Sequence, residues 1–367
     1  MGEKFAANPV TGTGSMSVPI ATSPGRSGFG PQLFIAYDSG AGNGPFGFGW
    51  SLSLPSITRK TNKGLPKYWD TEESDVFVLS GAEDLVPILQ KDASGNDVIQ
   101  DTVVDDYRVR HYRPRIEGLF ARIERWTSKT ELGDVHWRSI SKDNILTLYG
   151  SDPDSRIFDP ENNGRIFSWL ICETRDDKGN AVLYRYKADD GANVNLGLSH
   201  ERNRGKHDDA RRAANRYLKH IYYGNQKTLL DGAGNRPRFL NKLLVDTQIA
   251  NAEWMFQVVF DYGEHNENAP KPSDTGAWKF RADPFSSYRS RFEIRTTRVC
   301  QRVLMFHHFS RDTNTGRDCL VRSTDFHYSH QSEPPSERNP FTPFCKVPHK
   351  PVTNAKLVAT QNAACHP

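Results

Sequence analysis

The stretch "YDSGAGNGPFGFGWSLSLP", Tyr37 to Pro55, places glycines at 40, 42, 44, 47 and 49. Gly42 to Gly47 satisfies the G-x-G-x-x-G spacing of a dinucleotide-binding turn and follows a strand-like run, Gln32 to Tyr37. That chemistry requires the glycines to open a helix, because the pyrophosphate sits on free N–H groups at a helix N-terminus. Here they lead into Phe48-Gly49-Trp50-Ser51-Leu52-Ser53-Leu54-Pro55, which has strand composition and a proline stop. Pro45 also removes an N–H donor from the middle of the turn. The stretch reads as a glycine-permitted β-connection, with Asn43-Gly44 suited to a tight turn and Phe46, Phe48 and Trp50 plugging a core.

The same grammar recurs outward from it. Short runs rich in β-branched and aromatic residues, bounded by Gly, Pro, Asn or Asp, predict strands at Ser15–Ala21, Leu33–Tyr37, Trp50–Leu54, Val76–Leu79, Tyr107–Tyr112, Ala121–Thr127 and Val135–Ile140. Further strands are predicted at Arg165–Glu173, Ala181–Lys187, Tyr217–Tyr223, Trp254–Tyr262, Thr296–Phe309 and Cys319–Tyr328, the longest bent or bulged. Asp208–Leu218, with an acidic start, alanines and arginines, predicts a short helix. The fold class is therefore mainly β: one large, multi-stranded antiparallel domain over residues 1–330 with few short helices. Residues 331–367 are proline-rich with no sustained period, and predict an irregular tail or the truncated start of a following domain.

Bulk properties exclude several classes. Forty-eight Lys and Arg against forty-four Asp and Glu leave a net charge of +4, too small for a whole-molecule field that favours nucleic acid. No run approaches the roughly 20 apolar residues of a membrane span, and Met1 to Gly12 lacks the apolar core of a signal peptide. Synthesis in the cytoplasm without a classical signal peptide is expected. Five scattered cysteines with no C-x-x-C pair predict reduced thiols, Cys172 and Cys300 among them as small buried hydrophobes.

The search for chemistry returns no catalytic, cofactor-binding or metal-ligating residues. His307 and His308 are adjacent, so a strand sends them to opposite faces. His207-Asp208-Asp209 fits a solvated helix start better than a metal site, and neither H-E-x-x-H nor G-x-S-x-G in a suitable context occurs. The cluster Arg202, Arg204, Lys206, Arg211, Arg212 and Arg216 is interrupted by Asp208 and Asp209 and lacks interleaved aromatics, so it reads as a solvated face. His307, Glu293 and Asp283 can each do acid–base work, and nothing in the sequence brings them together. The residues singled out are structural: Gly42, Gly44, Gly47, Gly49 and Trp50 for the opening region, and Trp254, Trp278, Phe306 and Tyr328 for the core.

Long blocks carry a resemblance. Asn8 to Leu89, together with "RYLKHIYYGN" (216–225), "WMFQVVFDYGEH" (254–265), "WKFRADPFSSYRSRFEIRTTRVCQRVLMFHHF" (278–309) and "LVRSTDFHYS" (320–329), closely resembles the SpvB-type N-terminal domain. That domain also opens the B subunits of insecticidal toxin complexes. The resemblance implies a β-rich, non-enzymatic segment of a cocoon wall that encloses a toxic enzyme as cargo, is secreted or extracellular as part of a toxin complex, and has other toxin-complex subunits as partners. In the Salmonella type an ADP-ribosyltransferase follows this domain; its Glu-x-Glu signature is absent from this sequence. The alternative reading is a surface-binding delivery module that uses exposed aromatics and the Arg202–Arg216 cluster.

Overall fold

The computed structural model describes residues 4–8, 12–80, 84–237, 253–273, 276–309 and 318–328. Among these residues the main sheet has fifteen strands, and eight of them close into a barrel. Around the ring run Ser56–Arg59, Phe77–Leu79, Asp84–Pro87, Tyr107–Pro114, Arg122–Ser128, Val135–Ile140, Leu146–Tyr149 and Asn162–Arg175, each antiparallel to its neighbour. Asn162–Arg175 closes the ring on Ser56–Arg59. The same fourteen-residue strand pairs with Ala181–Ala188, so the sheet continues past the barrel through Arg216–Asn225, Trp254–Asp261, Arg302–His307 and Cys319–Asp325. A separate four-stranded sheet, Lys4–Asn8, Thr13–Ile20, Leu33–Asp38 and Trp50–Leu52, comes from the start of the chain.

Strand alternation decides what fills the barrel. Register places Arg59 opposite Phe77, Arg125 opposite Trp137, and Trp169 opposite Ile57. These side chains share one face and are all buried. Their rings meet across the lumen, with Phe77 5.0 Å from Trp137 and 5.7 Å from Trp169, and Tyr112 4.8 Å from Trp137.

Two expected elements differ. In place of the helix at Asp208–Leu218 there is one 3-10 turn, Ala210–Ala214, capped by the Asp209 carboxylate. Arg216 then enters a ten-residue strand, because pairing with Ala181–Ala188 outweighs the weak helical preference of so short a run. The long strand expected at Thr296–Phe309 is confined to Arg302–His307. Thr296 ends a separate hairpin formed by Phe285–Ser287 and Ile294–Thr296, and the intervening backbone bonds elsewhere: Cys300 N–H to Pro45 and Gln301 N–H to Asp261. The expected division near residue 330 lies outside the described residues on its C-terminal side.

Candidate functional site

The glycine-rich opening forms a clasp. Asn43–Gly44 and Gly47–Phe48 make a minimal hairpin whose tip, Pro45-Phe46, is pressed into the far end of the chain. Phe46 is buried edge-on to Phe260 and Phe326, at centroid distances of 6.4 and 5.9 Å. The Pro45 carbonyl accepts the Cys300 N–H at 2.8 Å. Arg281 donates to the Gly44 carbonyl and to Asn43 Oδ1 at 3.0 and 3.1 Å, while Asn43 Nδ2 donates to Asp283 at 2.9 Å. Gly47 lies at φ +95°, and a Cβ there would sit 3.2 Å from the Tyr328 ring, whose hydroxyl donates to the Cys300 carbonyl at 2.7 Å. Gly49, at φ +81°, leaves no room either: a Cβ would fall 2.6 Å from Tyr37, which packs on Trp50.

Thus Gly44, Gly47, Gly49 and Trp50 gather around this clasp with Tyr328, which is distant in sequence. Gly42 is exposed, with nothing near its Cβ position. Phe48 does not join the core as expected: it is 49% exposed, because the two-residue strand that buries Gly47 turns its neighbour to the other face. Of the remaining core residues, Trp278 belongs to the same large cluster as the clasp, while Trp254 and Phe306 lie in smaller clusters of their own. Trp278 packs against Tyr217 and Tyr262 beneath Lys187, Lys219 and Arg298. Trp254 packs with Ala181 and Leu183, and Phe306 with Val259 and Leu304.

A second constellation fills the barrel mouth. Segment 60–76, containing "DTEESD" (70–75), folds over the lumen and supplies acids to its buried arginines. Arg59 pairs with Asp70 and Asp75 at 2.6 and 2.8 Å and lies over the Tyr68 and Phe77 rings. Glu73 meets Arg110, Arg125 and the Tyr112 hydroxyl, and Asp101 completes the pairing of Arg110. Burial raises the Tyr112 hydroxyl pKa well above its ordinary value, so it stays a donor. Burial raises the Asp70 pKa, but the hydrogen bond and charge of Arg59 outweigh it and hold the carboxyl below the usual range. None of these lumen residues was singled out in the sequence. The available signal was charge at inward positions, as in "SITR" and "YRVRHYRP".

Several other charged groups are paired within the fold. Asp261, Glu264 and His265 have potential ligand atoms within 4.8 Å of one another. Arg302 already neutralises Asp261, and Lys219 neutralises Glu264, so the trio is an ion-pair network rather than an open ligand set. The basic cluster is partly spent in the same way: Arg204 on Glu293, Arg211 on Asp209, and Arg212 on a Glu201 also held by Arg295. His307 bonds Ser23, Glu293 bonds Arg204, Ser286 and Tyr288, and Asp283 bonds Arg281, so these three groups serve different networks. Cys172 and Cys300 are free and buried, and burial pushes the Cys172 thiol up to about 12. Cys319 is disulfide-bonded, against the expectation of reduced thiols throughout.

With this geometry in hand, comparison with known proteins is decisive. Residues 8–309 match the family described as Salmonella virulence plasmid 65kDa B protein. The chain belongs to this SpvB family. It is 35% identical over 317 residues to the Mono(ADP-ribosyl)transferase SpvB of Salmonella typhimurium, covering 84% of this chain and 50% of that protein. The relative from Salmonella dublin matches at the same identity and coverage, so the chain spans about half the length of these curated relatives. Among solved structures, the N-terminal domain of the effector protein SpvB from Salmonella typhimurium strain LT2 aligns with TM-score 0.69 and 34% identity, covering 85% of this chain and 94% of that one. A crystal structure of TcdB2-TccC3 aligns with TM-score 0.71 and 32% identity over 90% of this chain and 15% of the other. The mainly β fold is thus shared with both an SpvB N-terminal domain and a part of TcdB2-TccC3.

Proposed function

We propose that this SpvB-family chain is a non-enzymatic wall component of a toxin complex, acting by enclosing a toxic cargo and by contact with other shell subunits, and secreted or extracellular as part of that assembly. The observation that carries this reading is the alignment of nine-tenths of the chain with part of TcdB2-TccC3. The interior supports it. Buried arginines are matched to acids, buried thiols are held protonated, and the Asp261, Glu264 and His265 network is neutralised by its own cations. Each of these features ties a reactive group into the packing of the wall.

Co-purification with the products of the neighbouring genes, sized by light scattering, tests the proposal. A stable heteromeric assembly is expected. A monomer that ignores every such partner contradicts it.

A further inference from the structure

Segment 60–76 closes the barrel mouth incompletely, leaving a cleft of about 430 Å3 between itself and the loop around Glu131 to Gly133. Tyr68 and Glu73 hold left-handed backbone, at φ 63° and 49°. Bulky residues keep that conformation only where their surroundings over-determine it, and such positions gather at ligand clamps. Here Tyr68 is fixed by its hydroxyl bond to the Ser290 carbonyl and by Asp75, and Glu73 by its arginines. Between them Trp69 is turned outward, 57% exposed.

Three features of the cleft define a ligand. The Trp69 ring already attracts a cation, since the Lys67 ammonium stands 5.5 Å from its centroid. Glu72 and Glu131 are exposed on the cleft walls and carry no ion pair among the described residues. Leu132, 74% exposed beside them, offers an apolar surface for an aliphatic stem. Arg108 also lines the cleft, from the lumen face of its strand.

We propose that this cleft binds a basic segment of a partner polypeptide, with an Arg or Lys side chain laid on Trp69 and Leu132 and its charge shared by Glu72 and Glu131. The inference deepens the shell reading by giving one partner contact its chemistry, and rests on that reading for the partner being a polypeptide.

Fluorescence anisotropy of labelled nona-arginine, titrated with the full chain at low and physiological salt, tests it. Saturable binding that weakens with salt is expected, about fivefold or more weaker in Trp69→Ala and in the double variant Glu72→Gln/Glu131→Gln. Phe48→Ala, which alters an exposed aromatic of the clasp, should bind as the parent does. Circular dichroism of each variant separates lost binding from lost folding, and Trp69→Phe should restore part of the affinity. Absent binding, affinity unchanged in both cleft variants, or Trp69-dependent binding of chitohexaose in place of nona-arginine would overturn the inference. Those results alongside intact co-purification with neighbouring gene products would leave the shell reading standing.

Discussion

Phe46→Ala tests whether the clasp, rather than glycine content in general, ties the start of the chain to its far end. Phe46 is 8% exposed and meets Phe260 and Phe326 edge-on, whereas Phe48, two residues on, is 49% exposed. Truncating a buried phenylalanine costs about 3–5 kcal/mol in lost transfer energy and residual cavity. The exposed neighbour should cost about 1 kcal/mol or less. With a urea slope of about 3 kcal/mol/M, Phe46→Ala lowers the unfolding midpoint by roughly 1 M, and Phe48→Ala by a small fraction of that. Tryptophan fluorescence reports the midpoint. Limited proteolysis reports the location, since loss of the Phe46 anchor should make the 40–50 hairpin the first site cut. Equal midpoint shifts in the two variants, or unchanged protection of that hairpin, would refute the clasp.

Four further outcomes are expected. Gly49→Ala forces a Cβ to within 2.6 Å of Tyr37 at φ +81° and should destabilise by at least about 1–2 kcal/mol, while Gly42→Ala, with open space and no positive φ, should be near neutral in the same denaturation assay. Glu73→Gln leaves Arg110 and Arg125 less compensated in the barrel and should cost about 3 kcal/mol. By comparison, Lys91→Ala at the exposed Lys91–Asp97 pair should change little in a parallel thermal melt. Because Asp70 has a folded pKa below its ordinary 3.8, its contribution to stability is complete above about pH 4 and is lost as pH falls through the folded value; Asp70→Asn should flatten that acid limb, and an identical slope in both proteins would argue against the pairing. Cys172 and Cys300 should resist a thiol reagent in the native state and react only on unfolding, as read from the kinetics of colour release.

Strand residues were legible wherever a β-branched and aromatic run met turn residues. Val135–Ile140 was located to the residue, and Leu33–Asp38, Arg122–Ser128 and Trp254–Asp261 within a position or two, because β-branched and aromatic runs ending at turn residues mark a strand even where both faces are buried. Asp84–Pro87 escaped, since its Asp and Pro ends leave only Leu85 and Val86 to mark a strand. Ser56–Arg59 escaped for a further reason: its inward positions are Ile57 and Arg59, and an arginine facing a core breaks the expected alternation. Of the clasp, the glycines, Trp50 and Tyr328 could be chosen individually, but not as partners.

The sequence by itself determined the β class, the rejection of a nucleotide loop and the family, because these depend on local period, backbone-permissive residues and long matched blocks. Closure of eight strands into a barrel, the seating of Phe46 against residues more than two hundred positions away, and the matching of Arg59, Arg110 and Arg125 to acids of segment 60–76 were decided only by tertiary structure. Pairing between strands and desolvation of charge depend on which segments meet in space. A linear pattern records which way a side chain faces, but not what it faces.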